Sequence, residues 1–509
     1  MLLVPPILLF ALLPAAVQAL QIPFYARPVA GPPASSSPPP PSNERTFTLR
    51  HALHASTTHR HLPPSKLDYS QDDLVSLSAV TSYSTSQSLR TRKLRIHRPS
   101  SQAAFQAARR ASFFTPLRAL QAGRLPSLEE LEDHELASTL EWDEVEIEAP
   151  DTDDPETLAA IGKMTSNAYT TPDGGGWYDI GGGWNKTDSF GWKEHGIRGH
   201  VFADEKNETV VISIKGTSAF IVGGGTETSK NDKINDNLLF SCCCARVDWS
   251  WSTVCDCYDS PYTCRQDCVE EAVMTKSAYY PVATDLYNNV SALYPHAQIW
   301  LSGHSLGGGI AAMLSRTYAV PSVSFESPGD LLATRRLHLP LPPPLKPNAS
   351  HPPDAPPRRS LQDELTTHVF HTADPIPMGV CTGTISSCAI AGFALESRCH
   401  TGKTILYDTV GRLGWSVDVR THPIKVVIDY LLREDWGKGK KELGGEEEEE
   451  EKRGAWGWWP GRGKKGDGDE EEGGGGDEDD GQRGGKGVPK PRWEEDDCVD
   501  CYRWDYIDG

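Results

Sequence analysis

The sequence predicts an α/β fold, with a central, mostly parallel sheet flanked by helices. Three observations predict it. The stretch from Ala297 to Tyr318, AQIWLSGHSLGGGIAAMLSRTY, passes from a short apolar strand through a glycine-rich turn into an Ala-, Met- and Leu-rich helix. Further strand patterns lie on either side of it, at Thr209–Lys215, Ser322–Phe325 and Thr367–His371, with helical patterns between them. These strands run straight into loops of small and polar residues, which is how the rim of an open sheet is built.

Taken in chain order, Leu2–Leu20 (LLVPPILLFALLPAAVQAL) is uncharged and about the length of a membrane span. Pro5, Pro6 and Pro14 weaken a continuous helix, and Ala15–Ala19 resembles a signal-peptidase site. The residues alone leave a cleaved leader and an uncleaved anchor in balance. No later segment reaches spanning length without charge or proline, so at most one span is expected.

Residues 21–150 read as a partly disordered region that wraps the core. Pro28–Ser42 is a Pro/Ser-rich extended linker, and Thr46–Arg110 shows little apolar periodicity. The basic run Arg90, Arg92, Lys93, Arg95 and Arg98 reads as a solvated loop, with a patch for anionic lipid heads as the alternative. Ser100–Gln121 suggests a short helix. Leu125–Leu140 carries a capping box, Ser127-x-x-Glu130, with apolar residues at Leu128, Leu131 and Leu136.

Residues 151–436 have the length of one domain. Asp154–Tyr169 places Leu158, Ile161 and Met164 at helical spacing and reads as the first core helix. Trp177, Trp184 and Trp192 lie in a Gly-rich stretch and suit either a lipid interface or burial. Asp267–Tyr294 reads as one long helix leading into the strand at Ile299–Leu301. Leu339–Pro357 is too Pro-rich for a core strand and reads as an inserted surface loop. Residues 437–509 form a low-complexity acidic Gly/Glu tail, expected to be disordered, that ends in Cys498-x-x-Cys501. A local disulfide or a docking peptide is expected there.

The formal net charge of −20, half of it from that tail, argues against a nucleic-acid partner. Seven of the 12 cysteines lie between Cys242 and Cys268, a density that favours disulfides in an oxidising compartment over a metal site. Sequons at Asn185, Asn207, Asn289 and Asn348 agree with lumenal exposure.

The chemistry centres on Gly303-His304-Ser305-Leu306-Gly307, a G-x-S-x-G in strand–turn–helix context, the setting of a nucleophile elbow. Small neighbours let Ser305 project above the sheet at a helix N-terminus. There the Leu306 backbone N–H and the helix dipole favour an oxyanion. Thr217, at the end of Thr209–Lys215, is the second oxyanion candidate. A serine nucleophile needs a base and the base an orienting acid, in the order Ser, Asp or Glu, His in hydrolases of this architecture. Asp374 follows the strand Thr367–His371, and His422 precedes Pro423 at the start of a helical run. His368, His371 and His400 are rival bases, and Asp330, Asp408 and Asp418 are rival acids.

Ile214–Ser218, Gly303–Gly308, His371–Pro375 and His422 together resemble the class 3 (fungal-type) lipases, with an α/β-hydrolase fold. Gly199–Phe202, Asn235–Cys244, Cys255-Asp-Cys257 and Cys399–Ile405 narrow the resemblance to the fungal autophagy-related vacuolar lipases, across roughly Tyr169–Leu432. The resemblance implies a phospholipid-directed lipase with a Ser305–His422–Asp374 triad that lyses autophagic bodies and multivesicular-body vesicles in the vacuole. It tips residues 1–20 towards a type II signal-anchor, in a single-pass protein of endosomes, multivesicular bodies and prevacuolar compartments delivered to the vacuole lumen. Phospholipid membranes are the expected partner, and neither metal nor organic cofactor is expected. A secreted esterase with a cleaved leader and a non-catalytic lumenal tether are the alternatives.

Overall fold

The structure is a computed structural model that describes residues 44–56, 65–68, 86–121, 123–170, 176–178, 196–204, 206–217, 227–245, 253–277, 279–344, 365–382, 386–436, 487–494 and 498–507. The expected membrane segment at 1–20, the linker at 28–42, Trp184, Trp192, Asn185 and Asn348 lie outside these residues. So do most of the Pro-rich insertion and residues 437–486 of the acidic tail. Among the described residues no helix is long and apolar enough to cross a membrane.

The first strands in chain order are β1 (Glu44–Ser56), β2 (Ser65–Asp68), β3 (Ser86–Pro99), β4 (Trp142–Pro150), β5 (Gly196–Asp204) and β6 (Thr209–Ile214). After them come β7 (Tyr258–Ser260), β8 (Thr263–Arg265), β9 (Gln298–His304) and β10 (Ser322–Phe325). The last are β11 (Thr366–His371), β12 (Lys403–Tyr407), β13 (Arg492–Trp493) and β14 (Asp505–Ile507). The main sheet has the order β13-β12-β11-β10-β9-β6-β5-β1-β3-β4, with β2 pairing off β1.

Among the described strands of this sheet, β12, β11, β10, β9 and β6 run parallel. β13 closes one edge antiparallel, and β5, β1, β3 and β4 form an antiparallel wing on the other. The sheet is therefore mixed, not mostly parallel. The difference comes from the region before residue 150, which supplies four strands. The basic run expected to be a loop is β3. Its Leu89, Leu94 and Ile96 are buried. Its cations instead meet acids on the neighbouring strand: Lys93 pairs with Glu146 at 2.6 Å and Arg95 with Glu144 at 2.9 Å. Charge complementarity across the strands hides the apolar alternation from a reading of β3 alone.

The helices α1 (Gln102–Phe113), α2 (Pro116–Gln121) and α3 (Leu128–Ala137) follow β3. The capping box of α3 forms, with the Ser127 hydroxyl accepting from the Glu130 N–H and the Glu130 carboxylate from the Ser127 N–H. Its leucines Leu128, Leu131 and Leu136 face solvent. A bidentate Arg110–Asp133 pair ties α3 to α1 instead.

α4 (Pro155–Asn167) buries Leu158, Ile161 and Met164 in a cluster with Phe202, Trp300 and Val323 on one face of the sheet. Trp177 is half-buried and packs against that cluster. α5 (Glu227–Phe240), α6 (Gln266–Lys276), α7 (Tyr279–Leu293) and α8 (Leu306–Tyr318) follow. The single helix expected over Asp267–Tyr294 is thus two, broken where Ser277 turns extended (ψ 111). On β9, Ile299 and Leu301 pack with Ile310 and Leu314 of α8, while Trp300 points to the α4 side. This buried-on-both-faces pattern is what a central parallel strand requires. The remaining helices are α9 (Leu331–Arg336), α10 (Ser387–Ala391), α11 (Thr409–Leu413) and α12 (Ile424–Asp429).

All twelve cysteines are paired: Cys242–Cys501, Cys243–Cys264, Cys244–Cys255, Cys257–Cys268, Cys381–Cys388 and Cys399–Cys498. The sulfurs of Cys244, Cys255 and Cys257 cluster, but each is spent in a disulfide and so offers no thiolate for a metal. Cys498 and Cys501 do not close a local loop. Each reaches back to the core, where β13 joins β12 and β14 joins β8 in a small sheet with β7. The end of the expected disordered tail is therefore a docked segment. Buried Arg336 donates to the carbonyls of Ser241 and Cys242 and to the Tyr506 hydroxyl beneath it.

These bridges close loops of 99 and 259 residues, which restrains the unfolded chain strongly. Replacing Cys498 and Cys501 with serine is expected to lower the unfolding free energy by about 2–4 kcal/mol per bridge. Chemical denaturation of the double variant beside wild type measures this. Coincident midpoints would show that the docked segment adds nothing to the core.

Candidate active site

Ser305 sits between β9 and α8 with φ 56 and ψ −130, a backbone region that non-glycine residues rarely occupy. The turn is held on three sides. The Ser305 N–H donates to the Phe325 carbonyl at 2.9 Å, and the Ser305 carbonyl accepts from the N–H groups of Gly308 and Gly309. A Cβ on Gly303 would lie 2.1 Å from the Gly307 oxygen, and one on Gly307 would lie 2.4 Å from the Ile214 oxygen. Close backbone approach therefore dictates both glycines of the pentapeptide. Leu306 opens α8, so its N–H has no carbonyl of the helix to bond.

Asp374 and His422, 48 residues apart, meet: His422 Nδ1 lies 2.6 Å from Asp374 Oδ2. Asp374 follows β11 and is fully buried, and its other oxygen accepts from the Ile376 N–H at 3.0 Å. Burial alone would raise its carboxyl, but the His422 ring beside it and the bonds it accepts hold it below the usual range. His422 follows a 3₁₀ turn (Val419–Thr421), and Pro423 caps α12.

His304, the residue before Ser305, brings the two halves together. Its Nε2 donates to the His422 carbonyl at 3.0 Å, and the two rings stand 4.7 Å apart. Burial first, then the neighbouring His422, push His304 down to about 3, so it is neutral. Its Nδ1 accepts from the Tyr169 hydroxyl at 2.6 Å, and that hydroxyl accepts from the Gly216 N–H at 3.1 Å. One chain of hydrogen bonds thus runs from the β6 loop through the elbow to the His422 backbone. Sequence reasoning missed Tyr169 and the part played by His304. His304 stood in the motif, but nothing in the order of residues names its partners.

Thr217 lies in the loop after β6. A Cβ on Gly216 would meet the His304 oxygen at 2.2 Å and the Ser305 Cβ at 3.0 Å, so this loop abuts the elbow. The Thr217 hydroxyl donates to Asp236 of α5 at 2.5 Å, so of the two groups in the expected oxyanion role only the backbone N–H is not bound to Asp236. Lys215 beside it is pushed down to about 8 by burial, against the pull of Asp232 at 3.8 Å.

The rival bases and acids are engaged elsewhere. His368 bonds the Ser327 hydroxyl and lies 3.3 Å from Asp330, which also accepts from Thr401. His400 meets the Ser327 carbonyl and stands 3.7 Å from Glu494 of the docked C-terminal segment. His371 is held by the Thr409 hydroxyl and the Thr421 carbonyl. Asp408 caps α11, and Asp418 pairs with Arg420. Of the sequons, Asn207 in the β5–β6 turn and Asn289 on α7 are exposed.

A model of the class 3 lipase family matches residues 250–327, the stretch that contains Ser305. The chain is 49% identical over 379 residues to the "Putative lipase ATG15" of Cryptococcus neoformans var. neoformans serotype D, covering 72% of this chain and 70% of the relative. The chain belongs to the fungal ATG15 family of class 3 lipases. The ATG15 relative from Mycosarcoma maydis is 51% identical over 304 residues, covering 59% of this chain and 56% of that one. The Candida glabrata relative is 48% identical over 311 residues, covering 60% and 59%. Among solved structures, the Lip2 lipase from Yarrowia lipolytica is similar at 15% identity and a TM-score of 0.25, over 48% of this chain and 77% of that one. As an ATG15-family lipase, the protein is a lipid ester hydrolase. Its disulfide framework agrees with the pairing expected of an oxidising compartment.

Proposed function

We propose that this ATG15-family lipase hydrolyses membrane phospholipids by a Ser305–His422–Asp374 mechanism, and so dissolves autophagic bodies and multivesicular-body vesicles delivered to the vacuole. The observation that carries the reading is the 2.6 Å bond between Asp374 and His422, made where His422 is bound to the residue next to Ser305. His422 takes the Ser305 proton as the hydroxyl attacks the ester carbonyl. Asp374 keeps the imidazole in the tautomer whose other nitrogen is unprotonated and can take that proton. The backbone N–H groups of Leu306 and Thr217 bind the oxyanion. The protonated His422 then gives its proton to the leaving alcohol. Water, deprotonated by the same histidine, releases the fatty acid.

A fluorophosphonate that traps activated serines is expected to label Ser305 alone. Labelling is expected to abolish fatty-acid release from phosphatidylserine vesicles. Label on another serine, or full hydrolysis after labelling, would end the triad reading. Faster turnover of triolein emulsion than of vesicles would turn the substrate reading to neutral acylglycerols. Residues 1–20 as a type II anchor place the lipase on the lumenal side, in keeping with the paired cysteines and the exposed Asn207 and Asn289. A mature N-terminus near Gln21 would remove the anchor.

A further inference from the structure

Tyr169 has no part in the mechanism above, yet its hydroxyl stands between two parts of the site. The residue follows the last turn of α4. Its N–H donates to the Ser166 carbonyl at 3.1 Å, and the Thr165 hydroxyl, one turn earlier, bonds to Ser302 of β9. A helix fastened to the central strand therefore carries the side chain. The Tyr169 ring meets the His304 ring edge-on, with centroids 5.6 Å apart. On the other side, the loop after β6 closes on the hydroxyl. A Cβ on Gly216 would lie 2.4 Å from the Tyr169 oxygen, so only glycine brings its amide this near.

The sense of each bond follows from one carbonyl. The His422 carbonyl only accepts, so His304 Nε2 carries a hydrogen and donates to it at 3.0 Å. A second hydrogen, on Nδ1, would leave the Tyr169 hydroxyl hydrogen without an acceptor among the described residues. Nδ1 is therefore bare, and the Tyr169 hydroxyl donates to it at 2.6 Å. The phenol oxygen in turn accepts from the Gly216 N–H at 3.1 Å. The chain thus has a single sense, from Gly216 through Tyr169 and His304 to His422. At one end lies the peptide before Thr217, and at the other the backbone of the proposed base. Ser305 follows His304 directly.

We propose that Tyr169 is a positioning residue: its hydroxyl, bonded at once to the Gly216 amide and the His304 ring, fixes the oxyanion loop against the nucleophile elbow and the backbone of His422. The inference rests on the Ser305–His422–Asp374 reading. Tyr169 acts through its neighbours. With the hydroxyl in place, the Thr217 N–H is held where charge develops on the ester oxygen, so the bond counts in the transition state more than in the bound ester.

The test compares wild type, Tyr169→Phe, His304→Gln, the double variant and Ser305→Ala on a soluble short-chain nitrophenyl ester, with active sites counted by fluorophosphonate. Phenylalanine keeps the ring and removes the hydroxyl. Glutamine at 304 keeps an N–H for the His422 carbonyl and removes the acceptor of Tyr169. Tyr169→Phe is expected to lower kcat per active site by about ten- to a hundredfold, the scale of a small misplacement, while KM holds. Affinity for an alkyl boronic acid, which forms a tetrahedral adduct on a serine nucleophile, is expected to fall by the same factor as kcat/KM. The double variant is expected to lose no more than the more impaired single variant, because both changes break one link. In wild type carrying isotope-labelled histidine, the ring signals that disappear in His304→Gln are expected to report a neutral ring protonated on Nε2. That readout stands even where Tyr169→Phe fails to fold. A Tyr169→Phe kcat equal to wild type, a loss carried by KM, unchanged boronic acid affinity, losses that multiply in the double variant, or a His304 ring protonated on Nδ1 would each overturn the role of Tyr169. Activity persisting in Ser305→Ala would overturn the triad itself, so the two failures are distinct.

Discussion

Replacing Ser305 with alanine is expected to lower kcat for ester hydrolysis by about a millionfold, the scale on which serine hydrolases lose their nucleophile. The substitution removes one oxygen and leaves the hydrogen bonds of the elbow, which are made by backbone groups. The N–H groups of Leu306 and Thr217, the proposed oxyanion donors, also stay in place. A residual rate of roughly 10³-fold over water is therefore expected to survive, from binding and oxyanion stabilisation alone. KM is expected to change little, because the hydroxyl contributes to the transition state far more than to the bound ester. Steady-state kinetics on phosphatidylserine vesicles, with circular dichroism as the folding control, measures both. A loss below a hundredfold would mean that another group attacks the ester.

The second large effect is expected from Asp374→Asn, at roughly 10⁴-fold in kcat. The change is nearly isosteric, so the cause is electronic. An amide in place of the carboxylate no longer stabilises the imidazolium that forms as Ser305 is deprotonated. It also presents an N–H₂ where His422 Nδ1 donates, which favours the wrong tautomer. The same change also weakens the buried bond to His422 Nδ1 that ties the loop after β11 to the start of α12, so some stability is expected to go with the activity. Thermal unfolding beside the kinetic assay separates the two consequences. A variant with native stability and less than tenfold loss would show that a different acid orients His422.

Much of the site was legible in the residues because local backbone geometry selects them. The elbow needs glycine where Gly303 and Gly307 approach other backbone atoms to within a Cβ radius, so the pentapeptide carries its own signature. Ser127 and Glu130 announced the start of α3 for the same reason, since capping is decided within four residues. β3 was not legible. Its apolar residues are interrupted by cations whose partners lie on β4, some fifty residues further along the chain. The leucines of α3 misled in the opposite sense, since their spacing is helical but they face solvent.

Local sequence was enough to determine the strand–elbow–helix unit and the order of candidate nucleophile, acid and base, and cysteine density was enough to favour disulfides over a metal site. The elbow was legible because sterics at a turn act over a few bonds. Only the tertiary structure decided which histidine meets which aspartate, that Cys498 and Cys501 reach separate partners in the core, and that Tyr169 bonds to His304 beside Ser305. Those pairings depend on where distant segments come to rest. Burial then sets their consequences, since the Asp374 carboxylate is held ionised by its bonds to His422 and Ile376 once water is excluded.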